Sequence, residues 1–260
     1  MENLWQSWEN PDQEKPVSYT HLDVYKRQEL RGWGQASKIT DNLMGAGYKG
    51  YSIFAQNFGG LMINANNIFP RGTSSITFEN VAKSTVTGNR FHAFYPGMLV
   101  LEGQCSENMI SSNHFLRDNE PWTPLIGVDN GLDDQYGVLR ISGSNNSVIA
   151  NHISETVSPS TIKPADKKPI IIRLVSGNGN YIAANHIVAM AEMEAEASEA
   201  CYAAQVNALT SRDRRRKLDV VYVLVDEMSE ENIILDTGSE KQVVMDRGRN
   251  VFRPVPELMV

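Results

Sequence analysis

The sequence predicts an all-β fold, a right-handed parallel β-helix, and three observations predict it. First, an element of the form apolar-x-x-Asn-x-apolar recurs six times, with its asparagines at Asn42, Asn66, Asn89, Asn113, Asn151 and Asn185. Their spacings are 24, 23, 24, 38 and 34 residues, three near-equal steps and then two that carry insertions. A period of roughly 20 to 50 residues marks a solenoid or a propeller. Second, each repeat is filled by short β-prone runs (YSIFA, LMINA, SITF, MLVLE, GVLRIS, IIIRLV) separated by Gly, Asn and Ser, with almost no helical periodicity before about residue 190. Third, there is no Trp-Asp signature, no regular leucine spacing and no helix within the repeat, which sets aside a propeller and a leucine-rich repeat. Coils of about 24 residues, one per repeat, satisfy all three.

Taken in order along the chain, residues 1–15 (MENLWQSWENPDQEK) lack the basic start and apolar core of a leader. Residues 16–28 (PVSYTHLDVYKRQ) share neither the repeat nor the composition of the chain from residue 29 onward. They resemble a string found at the ends of translated metagenomic contigs, the read-through of adaptor DNA. The expectation is therefore a non-native or unplaced segment over 1–28 and a β-helix domain over 29–260, truncated at its N-terminal end, where a cut coil would expose unpaired strand edges. The coils come next, each bearing one ladder asparagine. Asparagine suits the bend because it tolerates left-handed backbone angles and its amide can bond the equivalent amide one coil away. An insertion at 116–137 interrupts the regular steps. The segment 191–218 is rich in Ala, Glu and Arg, which predicts a helix packed outside the coils or capping them. Its basic run Arg212–Lys217 reads as the solvated end of that helix. Strands and turns return over 220–225 and 231–253.

Bulk properties exclude several function classes. A net charge of −7 argues against a nucleic-acid surface, which needs a clustered excess of Lys and Arg. No apolar run approaches the roughly 20 residues that span a bilayer. Cys105 and Cys201 lie far apart with no CxxC or histidine cluster, so two buried, unpaired thiols are expected and no zinc site. The acids of the 116–137 insertion do not adopt the order of an EF-hand loop. No metal and no cofactor is expected.

Counting back thirteen residues from each ladder asparagine gives Glu29, Ile53, Ile76, Val100, Val138 and Ile172. A carboxylate in an otherwise core-facing column would be held protonated by desolvation, as general acid catalysis at neutral pH requires. The alternative is that the first coil slips by one residue and Glu29 faces solvent; the count leaves both open.

The run from Glu29 to Asn42 (ELRGWGQASKITDN), with FYPGM at 94–98, SSNHFLRDNEPWTP at 111–124, DNGLDDQYG at 129–137 and SVIANHISE at 147–155, resembles the inulin fructotransferases. That family makes difructose anhydrides from inulin and includes relatives that hydrolyse difructose anhydride III. The resemblance covers 29–255 and only the C-terminal portion of the family. It implies a homotrimer of β-helices with active sites at subunit interfaces, and a catalytic Asp and Glu, the Glu being the one before Leu-x-Gly-Trp-Gly-Gln, here Glu29. The partner Asp lies eleven residues earlier, where this chain has Ser18. The reaction implied is intramolecular, a hydroxyl of the neighbouring fructose displacing the glycosidic oxygen, with difructose anhydride III expected as product ahead of I. The substrate is an extracellular polymer, so the intact parent is expected to be secreted.

Beside Glu29, the candidate sugar contacts are Trp33 and Gln35 in the same run, Arg90, His92 and Tyr95 around the bend at 94–96, and Trp122, Asp129 and Asn130 in the insertion. Trp33 between glycines serves equally well to cover a coil edge, and the insertion equally well as a structural loop or subunit contact. His114, His152 and His186 share one place in the repeat, which points to a structural role. Two other classes stay in view. One is a non-catalytic carbohydrate-binding or assembly β-helix. The other is a pectate-lyase-type enzyme, for which Arg140 and Arg173 fall near one column.

Overall fold

The computed structural model describes residues 18–20, 28–45, 51–70, 74–93, 95–117, 132–133, 135–157, 168–192, 215–235 and 244–252. All regular elements among them are β-strands. After β1 (Ser18–Thr20), the first coil is β2 (Gln28–Arg31), β3 (Lys38–Thr40) and β4 (Leu43–Met44). The second is β5 (Tyr51–Gln56), β6 (Met62–Asn64) and β7 (Asn67–Ile68), and the third β8 (Ser74–Glu79), β9 (Thr85–Thr87) and β10 (Arg90–Ala93). The fourth is β11 (Leu99–Glu102), β12 (Met109–Ser111) and β13 (His114–Arg117), and the fifth β14 (Leu139–Ile141), β15 (Ser147–Ile149) and β16 (His152–Val157). The sixth is β17 (Ile170–Asn178), β18 (Tyr181–Ala183) and β19 (His186–Glu192). After β20 (Arg215–Lys217), the long β21 (Val221–Ile234) pairs with both β17 and β18, and β22 (Val244–Asp246) and β23 (Arg249–Phe252) pair in turn with β21.

The strands stack in three parallel ladders, so each coil turns through three faces. The first face runs β2-β5-β8-β11-β14-β17-β21, the second β3-β6-β9-β12-β15-β18-β21 and the third β4-β7-β10-β13-β16-β19. Alternation along short strands sends every other side chain inward. Ile53, Ile76, Leu99, Leu139, Ile172 and Val223 form one inward column on the first face. Ile39, Ile63, Val86, Ile110 and Val148 form the corresponding column on the second. On the third face Phe91 and Phe115 stack with ring centroids 4.5 Å apart and planes 5° from parallel, as in-register identical residues one coil apart must.

The six asparagines form the expected internal ladder. The amide of Asn42 donates to Oδ1 of Asn66 at 2.9 Å, Asn66 to Asn89 at 2.9 Å, and so on through Asn113 and Asn151 to Asn185. Each accepting Oδ1 also takes the backbone N–H of the preceding coil's asparagine, which satisfies polar groups that burial would otherwise leave unpaired. The left-handed backbone, however, belongs to the residue before each asparagine, at Asp41, Ala65, Gly88, Ser112, Ala150 and Ala184. The asparagine serves the turn by its amide alone. A second ladder, unforeseen, runs five residues upstream: Asn108 to Asn146 at 2.9 Å, Asn146 to Asn180 at 3.1 Å and Asn180 to Asn232 at 2.9 Å.

The helix expected over 191–218 fails at both of its ends. Ala191 and Glu192 complete β19, and Arg215, Arg216 and Lys217 pair antiparallel with Glu192, Ala191 and Met190, so the basic run there is strand, not helix end. Pairing against the third ladder overrides an alanine- and arginine-rich composition; residues 193–214, Cys201 among them, lie outside the described residues. Within the segment expected to be foreign, Ser18–Thr20 pairs parallel with Lys38–Thr40. Cys105 is buried and free, as expected, its thiol pushed above the usual range by burial.

Candidate active site

Glu29 is in register with Phe54, and through it with Thr77, Val100, Arg140, Arg173 and Leu224. This column faces outward. The core-facing partner of Ile53 is Gln28, so the count from the ladder misplaces Glu29 by one residue. The reason is physical: the arc between the first strand and the ladder asparagine differs in length from coil to coil, being thirteen residues from Glu29, twelve from Phe54 and eleven from Arg140. Glu29 is exposed, with 37% of its side chain accessible, and does not stand in the core-facing column.

The carboxylate is nevertheless held. Tyr51 on β5 donates its phenolic O–H to Oε1 of Glu29 at 2.8 Å, and Nε of Arg31 lies 3.4 Å from Oε2. Both donors are braced by Phe54: the Tyr51 ring stacks on it at 4.6 Å, tilted 23°, and the Arg31 guanidinium lies over it at 4.8 Å. Arg31 is further tied by Nη1 to Oε1 of Gln56, its register partner, at 2.9 Å. Sequence reasoning missed Tyr51, Arg31, Phe54 and Gln56. The signal was the polar and aromatic alternation of adjacent strands, legible only once the register of β2 on β5 is known.

The other expected residues divide. Trp33 is 93% exposed. It is thrust outward by its glycines: Gly32 has φ of 100°, and a side chain at Gly34 would collide with the Phe58 ring. Gln35 bridges to Gly59 and is exposed. Arg90 and His92 lie on β10, on the third face, where Arg90 donates to Oδ1 of Asn67 at 3.2 Å and His92 is half-buried in register with Leu116. They sit two coils and one face away from Glu29, so a single chain does not bring the two groups together. Tyr95 is half-buried in the turn before β11. Trp122, Asp129 and Asn130 lie outside the described residues.

Two further clusters were partly anticipated. Arg140 and Arg173 share the outward column, but each is engaged: Arg140 lies over the Tyr136 ring at 4.5 Å, and Arg173 binds Oδ2 of Asp226 at 2.8 Å and the carbonyl of Gln135 at 3.1 Å. They clamp the return limb of the insertion onto the first face, a structural task. His114, His152 and His186 are in register on the third face, with Nδ1 of His152 and His186 2.9 Å apart and the rings of His114 and His152 5.0 Å apart. Burial, then the neighbouring imidazole, pulls His114 and His152 below the usual histidine value. Farther along the same strands, Arg117 and Glu155 form a buried ion pair at 2.6 Å.

Known proteins resemble this chain in sequence and fold. Residues 112–256 match the family model described as the β-helix repeat of inulin fructotransferase. An inulin fructotransferase (DFA-I-forming) of Arthrobacter globiformis is 37% identical over 160 residues, which are 62% of this chain and 39% of that protein. The crystal structure of DFA-IIIase mutant C387A from Arthrobacter chlorophenolicus A6 in complex with DFA-III superposes with a TM-score of 0.80 at 53% identity, covering 94% of this chain and 55% of that one. The same enzyme in complex with GF2 gives 0.80 and 54%, covering 94% and 56%. The chain thus spans little more than half the length of the solved relatives.

Proposed function

The chain belongs to the inulin fructotransferase family, and from that premise we propose that it is the part of a fructan-converting enzyme that carries the carboxylate Glu29. The reaction proposed is release of difructose anhydride III from the end of inulin. The glycosidic bond from the anomeric carbon of one fructose breaks, a hydroxyl of its neighbour forms the new bond to that carbon, and the hydroxyl proton is carried by carboxyl groups to the departing oxygen. Glu29 is one of those groups. The family's second carboxylate corresponds to Ser18, on β1, which pairs with β3 and not with the strand bearing Glu29.

The observation that carries the proposal is the Glu29 cluster itself: an outward carboxylate with a donor on each oxygen and an aromatic floor, in a chain 53% identical to an enzyme solved with DFA-III. Its exposure in the single chain also supports a site completed at a subunit interface in a homotrimer, because attack by a sugar hydroxyl in place of water requires water to be excluded. A fructan substrate, an extracellular polymer, supports secretion. A second reading, hydrolysis of difructose anhydride III, is favoured by identity, 53% to the DFA-IIIase against 37% to the fructotransferase.

The purified chain, its Glu29→Gln variant and a Ser18→Asp variant are incubated with inulin and, separately, with difructose anhydride III, and products are read by chromatography and mass spectrometry. Cyclic difructose from inulin supports the transferase, linear difructose from the anhydride the hydrolase. In either case Glu29→Gln is expected to lower the rate about 10²-fold or more, and Ser18→Asp, on a strand that does not pair with the one bearing Glu29, to leave it unchanged. No product from any folded form would leave a carbohydrate-binding or assembly scaffold.

A further inference from the structure

We propose that Tyr51, assisted by Arg31, is a positioning residue that fixes the orientation and the charge state of Glu29; the proposal rests on the reading of Glu29 as a reacting group. Glu29 and Tyr51 come from neighbouring coils, and parallel register sets Phe54, not Tyr51, opposite Glu29. Tyr51 stands three residues upstream on β5 and reaches the carboxylate by lying against the Phe54 ring. The phenol therefore arrives at 2.8 Å on a packed, two-torsion side chain. Arg31 reaches the other oxygen from the same platform, its far end anchored on Gln56. Each carboxylate oxygen thus meets a donor whose own position is set by packing, the arrangement that keeps a reacting group within a fraction of an ångström of its working geometry.

Chemistry gives the arrangement a direction. A phenolic O–H and a guanidinium donate to the ionised carboxylate and lose that bond's strength when it takes up a proton, so both favour the anion. Tyr51 can give no such help without its hydroxyl, whereas its ring can still stack. Tyr51→Phe separates the two roles: the platform remains and the donor is removed.

Two readouts in the full chain test this. In protein labelled with 13C at glutamate carboxyls, with Glu29→Gln assigning the resonance, Tyr51→Phe is expected to move the Glu29 titration midpoint to higher pH. Arg31→Gln is expected to do the same and Arg31→Lys to do so less. On whichever substrate the wild-type chain converts, Tyr51→Phe is expected to lower kcat about tenfold, change KM less than about twofold, and shift the acid limb of the pH profile upward. An unmoved Glu29 titration, or an unaltered kcat and pH profile in a folded Tyr51→Phe protein, overturns the proposal. If no form converts any fructan, the enzymatic reading fails instead, and the titration alone decides whether Tyr51 governs the carboxylate.

Discussion

At the scale of the residue, the molecule depends on side chains whose polar groups are wholly consumed by neighbours. Asn113 accepts from the backbone and the amide of Asn89 and donates to the carbonyl of Val86 and to Asn151. Replacing it with alanine strands several buried groups at once, each costing about 1–3 kcal/mol. Asn113→Ala is therefore expected to cost about 3 kcal/mol or more in urea unfolding, while Asn67→Ala, next to the ladder but only half-buried, changes stability by about 0.5 kcal/mol or less. The first ladder was legible because the same residue type recurs at all six positions. The second was not: its place is taken by Leu61 and Ser84 in the second and third coils, and only from Asn108 onward by asparagine. Glu29 was legible as a candidate and not as a geometry, since its face turns on one residue of arc length.

At the scale of the element, strands read well and composition read poorly. The runs around Ile53, Ile76 and Ile172 announce themselves by branched apolar residues. The stretch around 191–218 misled because helix propensity is a local quantity, and the strand edges it meets are not visible in its own residues. The histidine column shows an element-level consequence of register. Recurrence identified His114, His152 and His186 as equivalent, and stacking β13, β16 and β19 makes them neighbours, with Arg90 preceding them in the same column. The Nδ1 contact between His152 and His186 requires one ring to donate and the other to accept. Protonating both sets donor against donor. Because His114 and His152 lie below their unfolded value of 6.5 in the folded chain, the unfolded chain takes up protons first as pH falls through that value, and stability is lost from there down through the folded values. The urea midpoint is expected to drop between about pH 7.5 and about pH 5.5, and to drop less in His152→Gln; an equal drop would show the column to be unlinked to folding.

At the scale of the whole molecule, a solenoid joins each coil only to its neighbours, and this decides what one chain can assemble. Among the described residues β2 ends the first-face ladder, so Glu29 stands on the end strand of that face while Arg90 and the histidines lie on another face. Repeat spacing revealed the coils and the resemblance singled out the carboxylate. Neither showed that Glu29 lies on a different face from Arg90 and His92, since that arises only from three-dimensional closure of the coil. The proposed function requires fructan to bind at the Glu29 cluster, and a crystal structure of the Glu29→Gln chain soaked with a short fructo-oligosaccharide tests that most directly. A fructosyl unit is expected within hydrogen-bond distance of residue 29, beside Tyr51. A sugar ordered only on the third face near Arg90 and His92, or no ordered sugar under saturating conditions, would contradict it.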